Sequence, residues 1–144
     1  MISFNKPYFS KLCINNINDA IIDNISYNNK CEKLMNKKYN FLHSILTTSC
    51  THALEMMAML LDISEGDEIL VPSYTFVSTA NAFVKFGASI KCIDSNKNNP
   101  NIDCDKIEEA ITKKTKALVV VHYGGWSCDM DKIVEICKKN NIYL

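Results

Sequence analysis

The chain has 144 residues, of which 47% are hydrophobic, and sixteen basic and sixteen acidic side chains give it a formal net charge of zero at pH 7. That length is enough for one compact domain with a hydrophobic core. The balanced charge gives no support for nucleic acid or an acidic membrane surface as a partner, and neither is expected.

Hydrophobic periodicity predicts two polar helices followed by an alternation of strands and helices. An asparagine-rich turn joins the first two helices, and a second asparagine-rich stretch, residues 96–101, has the composition of a loop. In chain order we expect helices at 11–25, 30–39 and 51–61, a strand at 68–71, a helix at 76–86 that ends at Gly87, a strand at 89–93, a helix at 103–111, a strand at 117–121, a helix at 129–140 and the start of a strand at 142–144.

Strands and helices that alternate at these short intervals indicate an α/β fold. The strand at 117–121 is apolar throughout, which is typical of a parallel sheet buried on both faces. We therefore predict a mostly parallel sheet with helices on both faces. Residues 1–40 are expected to form an N-terminal helical segment and residues 41–144 the first part of the α/β domain. Because the chain stops as its last strand begins, we expect this domain to be truncated.

Seven cysteines are distributed along the chain, without a C-x-x-C pair or any other metal-ligand spacing. Their odd number argues against a closed set of disulfides, so we expect free thiols and no metal site. The first residues lack the apolar centre of a signal peptide, and no apolar run approaches the length of a membrane span. The sequence therefore favours a reducing, cytoplasmic location.

Hydroxyl-bearing residues stand where the helix at 51–61 begins. On composition alone, Ser49 and Thr51 are typical helix caps, which satisfy free backbone N–H groups without any ligand. The alternative is a phosphate cradle, because a helix N-terminus presents free N–H groups and a partial positive charge to an anion. Both interpretations stay open at this point.

Three further residues are candidates for a site. Phe76 is either a core residue, as helical phenylalanines commonly are, or an aromatic surface on which a flat ligand stacks. His122 and Tyr123 follow an apolar strand and precede two glycines, which places them at the carboxyl end of a parallel strand, where open α/β sheets bind ligands. The alternative for His122 is a structural residue that satisfies neighbouring loop carbonyls.

The pattern of these segments resembles the DegT/DnrJ/StrS family of sugar aminotransferases, which use pyridoxal phosphate (PLP). The similarity extends from about residue 45 to the end of the chain and is weaker before it. Within the family, the residues are most similar to members that aminate TDP-4-keto-6-deoxyglucose for enterobacterial common antigen. The blocks that carry the resemblance are Thr47-Thr48-Ser49-Cys50-Thr51-His52-Ala53-Leu54, Gly66-Asp67-Glu68-Ile69-Leu70-Val71-Pro72, Ser73-Tyr74-Thr75-Phe76-Val77-Ser78-Thr79-Ala80-Asn81, Asn101-Ile102-Asp103 and Val121-His122-Tyr123-Gly124-Gly125.

The resemblance implies the first part of the large domain of fold type I PLP aminotransferases, with site residues at matching positions. Cys50 and Thr51 match the positions at which the family contacts the PLP phosphate. Phe76 matches the position of the aromatic ring that stacks on the pyridine. His122 and Tyr123 are implied to line the substrate site. Two departures stand out: Cys50 replaces a common glycine, and the loop at 24–30 lacks the family's glycines. Asparagine can adopt the positive φ that such a loop needs.

The complete family enzyme is implied to be a homodimer that moves an amino group from glutamate to a keto-sugar nucleotide, here a TDP-4-keto-6-deoxyhexose, for cell-surface polysaccharide. That reaction needs a Schiff-base lysine and a carboxylate at the pyridine nitrogen. None of the lysines of this chain matches the family's Schiff-base motif. The Glu-Asp-Ala-Ala motif that carries the carboxylate is also absent from these residues. We therefore assign no catalytic residue, and expect the chain alone to be inactive and to bind PLP weakly or not at all.

Two alternatives remain. The chain is either the N-terminal portion of such an enzyme or a non-catalytic binding or assembly module, or gene remnant, of the same fold. An unrelated nucleotide-binding α/β domain is disfavoured, because neither a Gly-x-Gly-x-x-Gly fingerprint nor a P-loop is present.

Overall fold

A computed structural model describes residues 6–144. The chain divides into two compact units, one that ends at Leu46 and one that spans Thr47–Leu144. The expectation about a signal peptide falls largely on residues 1–5 and so lies outside the described residues.

The first unit contains two helices, α1 (Lys11–Ile22) and α2 (Tyr27–Tyr39). Their bounds differ from the predicted 11–25 and 30–39 because local capping decides them. The chain turns into the left-handed region at Asn24, with φ of 51°, and this ends α1 early. The side chain of Ser26 then accepts a hydrogen bond from the amide of Asn29 and starts α2 early. An asparagine thus takes the positive φ in the loop that lacks glycine.

The second unit is built on a three-stranded parallel sheet. The strands are β1 (Glu68–Pro72), β2 (Ser89–Ile93) and β3 (Thr115–Leu118), in the order β2-β1-β3. At the free edge of β3, Tyr143 makes one parallel bridge to Ala117. The strand expected at 142–144 is therefore limited to a single bridge here.

Helices cover both faces of this sheet, as the alternation of strands and helices predicts. They are α3 (Cys50–Leu60), α4 (Ser78–Val84), α5 (Ile107–Ala110) and α6 (Met130–Asn140). Successive residues of a strand point to opposite faces. On one face, Ile69 and Val71 pack with Phe83 of α4 and with α3. On the other face, Leu70 packs with Ile133 of α6 and with α5. The two hydrophobic clusters form one core divided by the sheet.

Several predicted bounds need correction. The helix at 103–111 is a 3-10 turn (Cys104–Lys106) followed by the short α5, and the strand at 117–121 begins at Thr115 and ends at Leu118. Strand pairing decides the second case, because Thr115 pairs with Glu68. The helix at 76–86 is shorter than predicted, although the turn after it does reach Gly87. Gly87 has φ of +93°, and an added Cβ would lie 3.1 Å from the backbone nitrogen of Glu65, so only glycine fits there without strain.

Candidate cofactor-binding site

The candidate residues lie at one edge of the sheet, where the parallel strands reach their carboxyl ends. The loops after β1, β2 and β3 all begin at this edge. Helix α3 leads through a short loop into β1 and packs on the sheet beside α4. It therefore runs opposite to the strands, and its N-terminus lies at the same edge. In open α/β sheets this is the edge that binds ligands.

The N-terminus of α3 is capped by Ser49. Its backbone is extended (φ −160°, ψ 161°), and its Oγ accepts a hydrogen bond from the amide of His52 at 3.1 Å. Its carbonyl accepts from the amide of Ala53, also at 3.1 Å. The cap interpretation of this serine is therefore correct. Within the described residues, the amides of Cys50 and Thr51 have no protein acceptor, because a helix leaves its first N–H groups free.

A phosphate group fits this turn. Two free amides and the positive end of an eleven-residue helix face the solvent, and Cys50 is exposed. The backbone of Cys50 is not in the positive-φ region, so a side chain is accommodated where many relatives have glycine. The nearby hydroxyls of Thr47 and Thr48 bond within the turn, to the carbonyl of Ser49 at 2.9 Å and to Nδ1 of His52 at 2.6 Å. His52 is exposed, as expected for a helix-mouth residue.

Phe76 lies in the loop between β1 and α4 and is 74% exposed. The core interpretation of this residue is therefore wrong, and so is its assignment to a helix, because α4 begins only at Ser78. Its carbonyl accepts the amide of Thr79 at 3.0 Å, which fixes the backbone beside the ring. An exposed ring at the carboxyl edge of the sheet is available to stack on a flat ligand.

His122 stands in the loop after β3 and is exposed. Its Nδ1 accepts a hydrogen bond from the amide of Cys128 at 3.1 Å. With Nδ1 as acceptor, the ring proton of neutral His122 is on Nε2, which leaves an N–H donor at the edge. His122 thus bonds within its own loop, as the structural interpretation expects, but its partner is a backbone N–H rather than a carbonyl, and its second nitrogen remains available to a ligand.

Tyr123 packs against Tyr74, which no local sequence pattern indicates as a functional residue. The ring centroids are 4.6 Å apart at an interplanar angle of 34°, and the two hydroxyls are 3.2 Å apart. The hydrogen bond that the Tyr123 hydroxyl donates to Tyr74, and then the charge interaction with Tyr74, raise the pKa of Tyr123 above its ordinary value of 10.0. Tyr123 is therefore a neutral phenol at physiological pH. This contact joins the loop that carries Phe76 to the loop that carries His122.

Asn101 is the other residue missed by the sequence. It lies in the asparagine-rich loop after β2, yet it is only 4% exposed. Its Oδ1 accepts from the amide of Tyr123 at 3.0 Å, and its Nδ2 donates to the carbonyl of Trp126 at 2.9 Å. The surrounding asparagines hide this position, and the Asn101-Ile102-Asp103 block of the family resemblance was the one available signal.

The cysteines are free thiols, and among residues 6–144 no three His, Cys, Asp or Glu side chains group as a metal site. Burial raises the pKa of Cys104, Cys128 and Cys137, so these three thiols stay protonated. Within the same residues, no helix has both the length and the apolar character needed to cross a membrane.

The fold is that of PLP aminotransferases, and solved structures bear this out. The chain matches the aminotransferase of Psychrobacter cryohalolentis with a TM-score of 0.87 and 29% identity, over 95% of this chain and 36% of that one. It matches the PLP form of the putative sugar aminotransferase Spr1654 of Streptococcus pneumoniae with a TM-score of 0.90 and 25% identity, over 99% and 38%.

The profile of the DegT/DnrJ/EryC1/StrS aminotransferase family matches residues 9–144, and the chain belongs to this family. Similar curated proteins include the spore coat polysaccharide biosynthesis protein SpsC of Bacillus subtilis (strain 168), 40% identical over 102 residues, which are 71% of this chain and 26% of that protein. The GDP-perosamine synthase of Escherichia coli O157:H7 is 34% identical over 119 residues, 83% of this chain and 33% of that protein. The chain thus spans about a quarter to a third of the length of these relatives.

Proposed function

We propose that this chain is the N-terminal, cofactor-phosphate-binding portion of a PLP-dependent aminotransferase that acts on a keto-sugar nucleotide. The observation that carries the proposal is the pair of free amides, at Cys50 and Thr51, at the mouth of α3 in a chain of this family. In this proposal residues 1–40 are the helical segment that precedes the large domain, and residues 41–144 begin that domain.

Each candidate residue has a distinct role. The amides of Cys50 and Thr51, with the α3 dipole, bind the phosphate and set the depth at which the cofactor lies. The ring of Phe76 stacks on the pyridine and fixes its plane, which contributes about 0.5–1.5 kcal/mol beyond burial. His122 and Tyr123 border the substrate and present an N–H and a phenol to it. PLP, when bound, supplies the electron sink by which an amino group passes from glutamate to the keto carbon.

The lysine and the carboxylate that this chemistry needs come, in this proposal, from polypeptide outside these 144 residues. The chain by itself is then inactive and holds PLP weakly or not at all. We place the enzyme in the cytoplasm, in the synthesis of a cell-surface polysaccharide, with a TDP-4-keto-6-deoxyhexose as the substrate. Because two relatives are named GDP-perosamine synthase, TDP and GDP sugars need to be compared directly as substrates.

A homodimer is part of the proposal. The first unit supports it, because several large apolar side chains of its helices remain exposed, among them Leu12 at 66%, Ile21 at 76% and Leu34 at 62%. Exposed apolar surface of this extent is typical of an interface and is an aggregation liability when uncovered. An isolated chain that is monomeric, soluble and cooperatively folded would contradict the view that a partner surface is missing.

The decisive experiment reads the DNA beyond codon 144 in all three frames and purifies the chain with the polypeptide encoded there. We expect a Glu-Asp-Ala-Ala segment and a later lysine motif. The combined protein should show the absorbance of lysine-bound PLP and aminate a keto-sugar nucleotide with glutamate as the donor. TDP-4-keto-6-deoxyglucose and GDP-4-keto-6-deoxymannose are compared as substrates.

Two outcomes would overturn the proposal. If neither motif is found in any frame, the alternative remains: a non-catalytic binding or assembly module, or a gene remnant of the same fold. If the combined protein binds PLP but aminates neither nucleotide sugar, the proposed cofactor site would stand and the proposed substrate class would be wrong. A Cys50→Pro variant of the combined protein tests the phosphate site, because it deletes one of the two free amides at the first residue of α3, where a helix tolerates proline.

A further inference from the structure

A chain of hydrogen bonds joins the three loops at the carboxyl edge of the sheet. We infer that Asn101, Tyr123 and Tyr74 form a positioning network that fixes the loop bearing Phe76 relative to the turn bearing His122. The relevance of this network to a cofactor rests on the proposed function, whereas its existence and mechanical effect do not.

Asn101 is the buried centre of the network. Its amide group bridges two backbone groups of the turn after β3, the N–H of Tyr123 and the carbonyl of Trp126. A donor on one side and an acceptor on the other require both halves of an amide, so a carboxylate or an apolar side chain would leave at least one backbone group without a partner. Because Asn101 is 4% exposed, water replaces these bonds poorly.

Tyr123 carries the restraint from this turn to the neighbouring loop. Its backbone is held by Asn101, and its hydroxyl and ring contact Tyr74. Tyr74 lies two residues before Phe76. The hydroxyls of Thr75 and Thr79, which stand before and after Phe76, are 2.8 Å apart and tie the loop to the first turn of α4. The backbone at Phe76 is thus held from both sides, while its ring stays free to face a ligand.

The network predicts that a change in one loop also loosens a neighbouring loop. If the network holds the loop, the loss of Asn101 loosens the turn at 122–126 directly and the loop at 73–77 through Tyr123. A residue that only stabilised its own turn would affect the first segment alone. The loss of the Tyr123 hydroxyl would loosen the 73–77 loop but leave the amide of Tyr123 bonded to Asn101.

Hydrogen exchange of the cofactor-free chain tests this directly. Asn101→Ala is expected to speed exchange about fivefold in both segments, since one hydrogen bond corresponds to that factor. Tyr123→Phe, which keeps the ring and the fold, is expected to speed exchange about fivefold in 73–77 only. The matched controls are Asn98→Ala on the same exposed loop and Tyr143→Phe, whose hydroxyl has no partner within the described residues; both should match the parent chain.

Two results would overturn the inference. One is a Tyr123→Phe variant whose 73–77 segment exchanges like the parent, and this test stands even if Asn101→Ala fails to fold. The other, which would overturn only the link between the network and the cofactor, is a combined protein in which Tyr123→Phe loosens the loop but leaves the PLP dissociation constant unchanged, where we expect it to rise about fivefold. Because the exchange readout needs no cofactor, a failed amination assay would leave the network standing.

Discussion

Replacement of Ser49 by alanine removes the side-chain acceptor that caps α3, and its cost follows from the cap geometry. The Oγ of Ser49 lies 3.1 Å from the amide of His52, and the residue has the extended backbone of an N-cap. Such a change costs about 1 kcal/mol of stability, within a range of about 0.5–2 kcal/mol. For a unit of the size of Thr47–Leu144 this corresponds to a fall of about 5 °C in Tm.

Two further substitutions at Ser49 separate capping from anion binding. Ser49→Gly should cost only a few tenths of a kcal/mol, because glycine is a tolerated N-cap. Ser49→Asp should keep the stability at pH 7, since a carboxylate caps well and complements the helix dipole. It also places a negative charge beside the free amides of Cys50 and Thr51, and should therefore weaken the binding of inorganic phosphate or PLP more than tenfold.

The assay is thermal and urea unfolding with and without phosphate, with Ser73→Ala as the control. Ser73 is exposed and its hydroxyl caps nothing within the described residues, so this change should stay within about 0.5 kcal/mol. A cost for Ser49→Ala no larger than that of Ser73→Ala would refute the cap. An aspartate variant that binds phosphate as well as the parent would refute the location of the anion at this helix mouth.

Three other predictions concern the core, an ion pair and the aromatic surface. Leu70→Ala, at a fully buried position of β1, should lower the free energy of unfolding by about 2–5 kcal/mol, whereas Leu60→Ala, 70% exposed, should change it by less than about 0.5 kcal/mol in the same urea titration. Asp67 is partly buried, which tends to raise its pKa, but hydrogen bonds from Lys116 and Ser64 outweigh this and lower it. The stability that the Asp67–Lys116 pair contributes is therefore present above about pH 4, and it is lost as the pH falls through the lowered pKa of Asp67 in the folded state. In urea unfolding, Asp67→Asn should therefore destabilise the protein at pH 7 but not at pH 2. Phe76→Ala should leave Tm within about 2 °C, because the ring is 74% exposed. In an absorbance titration, it should weaken PLP binding to the combined protein about two- to tenfold. A large loss of stability would show instead that Phe76 is a core residue.

Local patterns in the sequence were sufficient for most of the fold. Strand β2 occupies the predicted residues 89–93, and the buried side of α6 consists of Ile133, Ile136 and Cys137, which recur at helical spacing. Helix periodicity and the end of the helix at Gly87 depend on a few neighbouring residues, so they can be read from the sequence alone. The parallel sheet with helices on both faces follows from the same signals, because alternating elements of this length have few other ways to bury their apolar sides.

Strand bounds and side-chain exposure depended on the tertiary structure. β3 begins at Thr115 because it pairs with β1, a residue far away in the sequence. The apolar Met57 of α3 is 45% exposed, whereas its neighbour Ala58 is fully buried against the sheet. Periodicity indicates which side of a helix faces inward, but the width of the covered strip depends on what packs against it.

The sequence by itself determined where the candidate site begins, and the tertiary structure decided what holds it together. A helix mouth with hydroxyl residues is a local pattern and is found where it was expected, whereas Phe76 follows its strand in a loop rather than in the predicted helix. Asn101, Tyr123 and Tyr74 come from three separate loops, and no local pattern indicates that they contact one another. They meet because parallel strands end at one edge of the sheet, which brings distant loops within hydrogen-bond distance of one another.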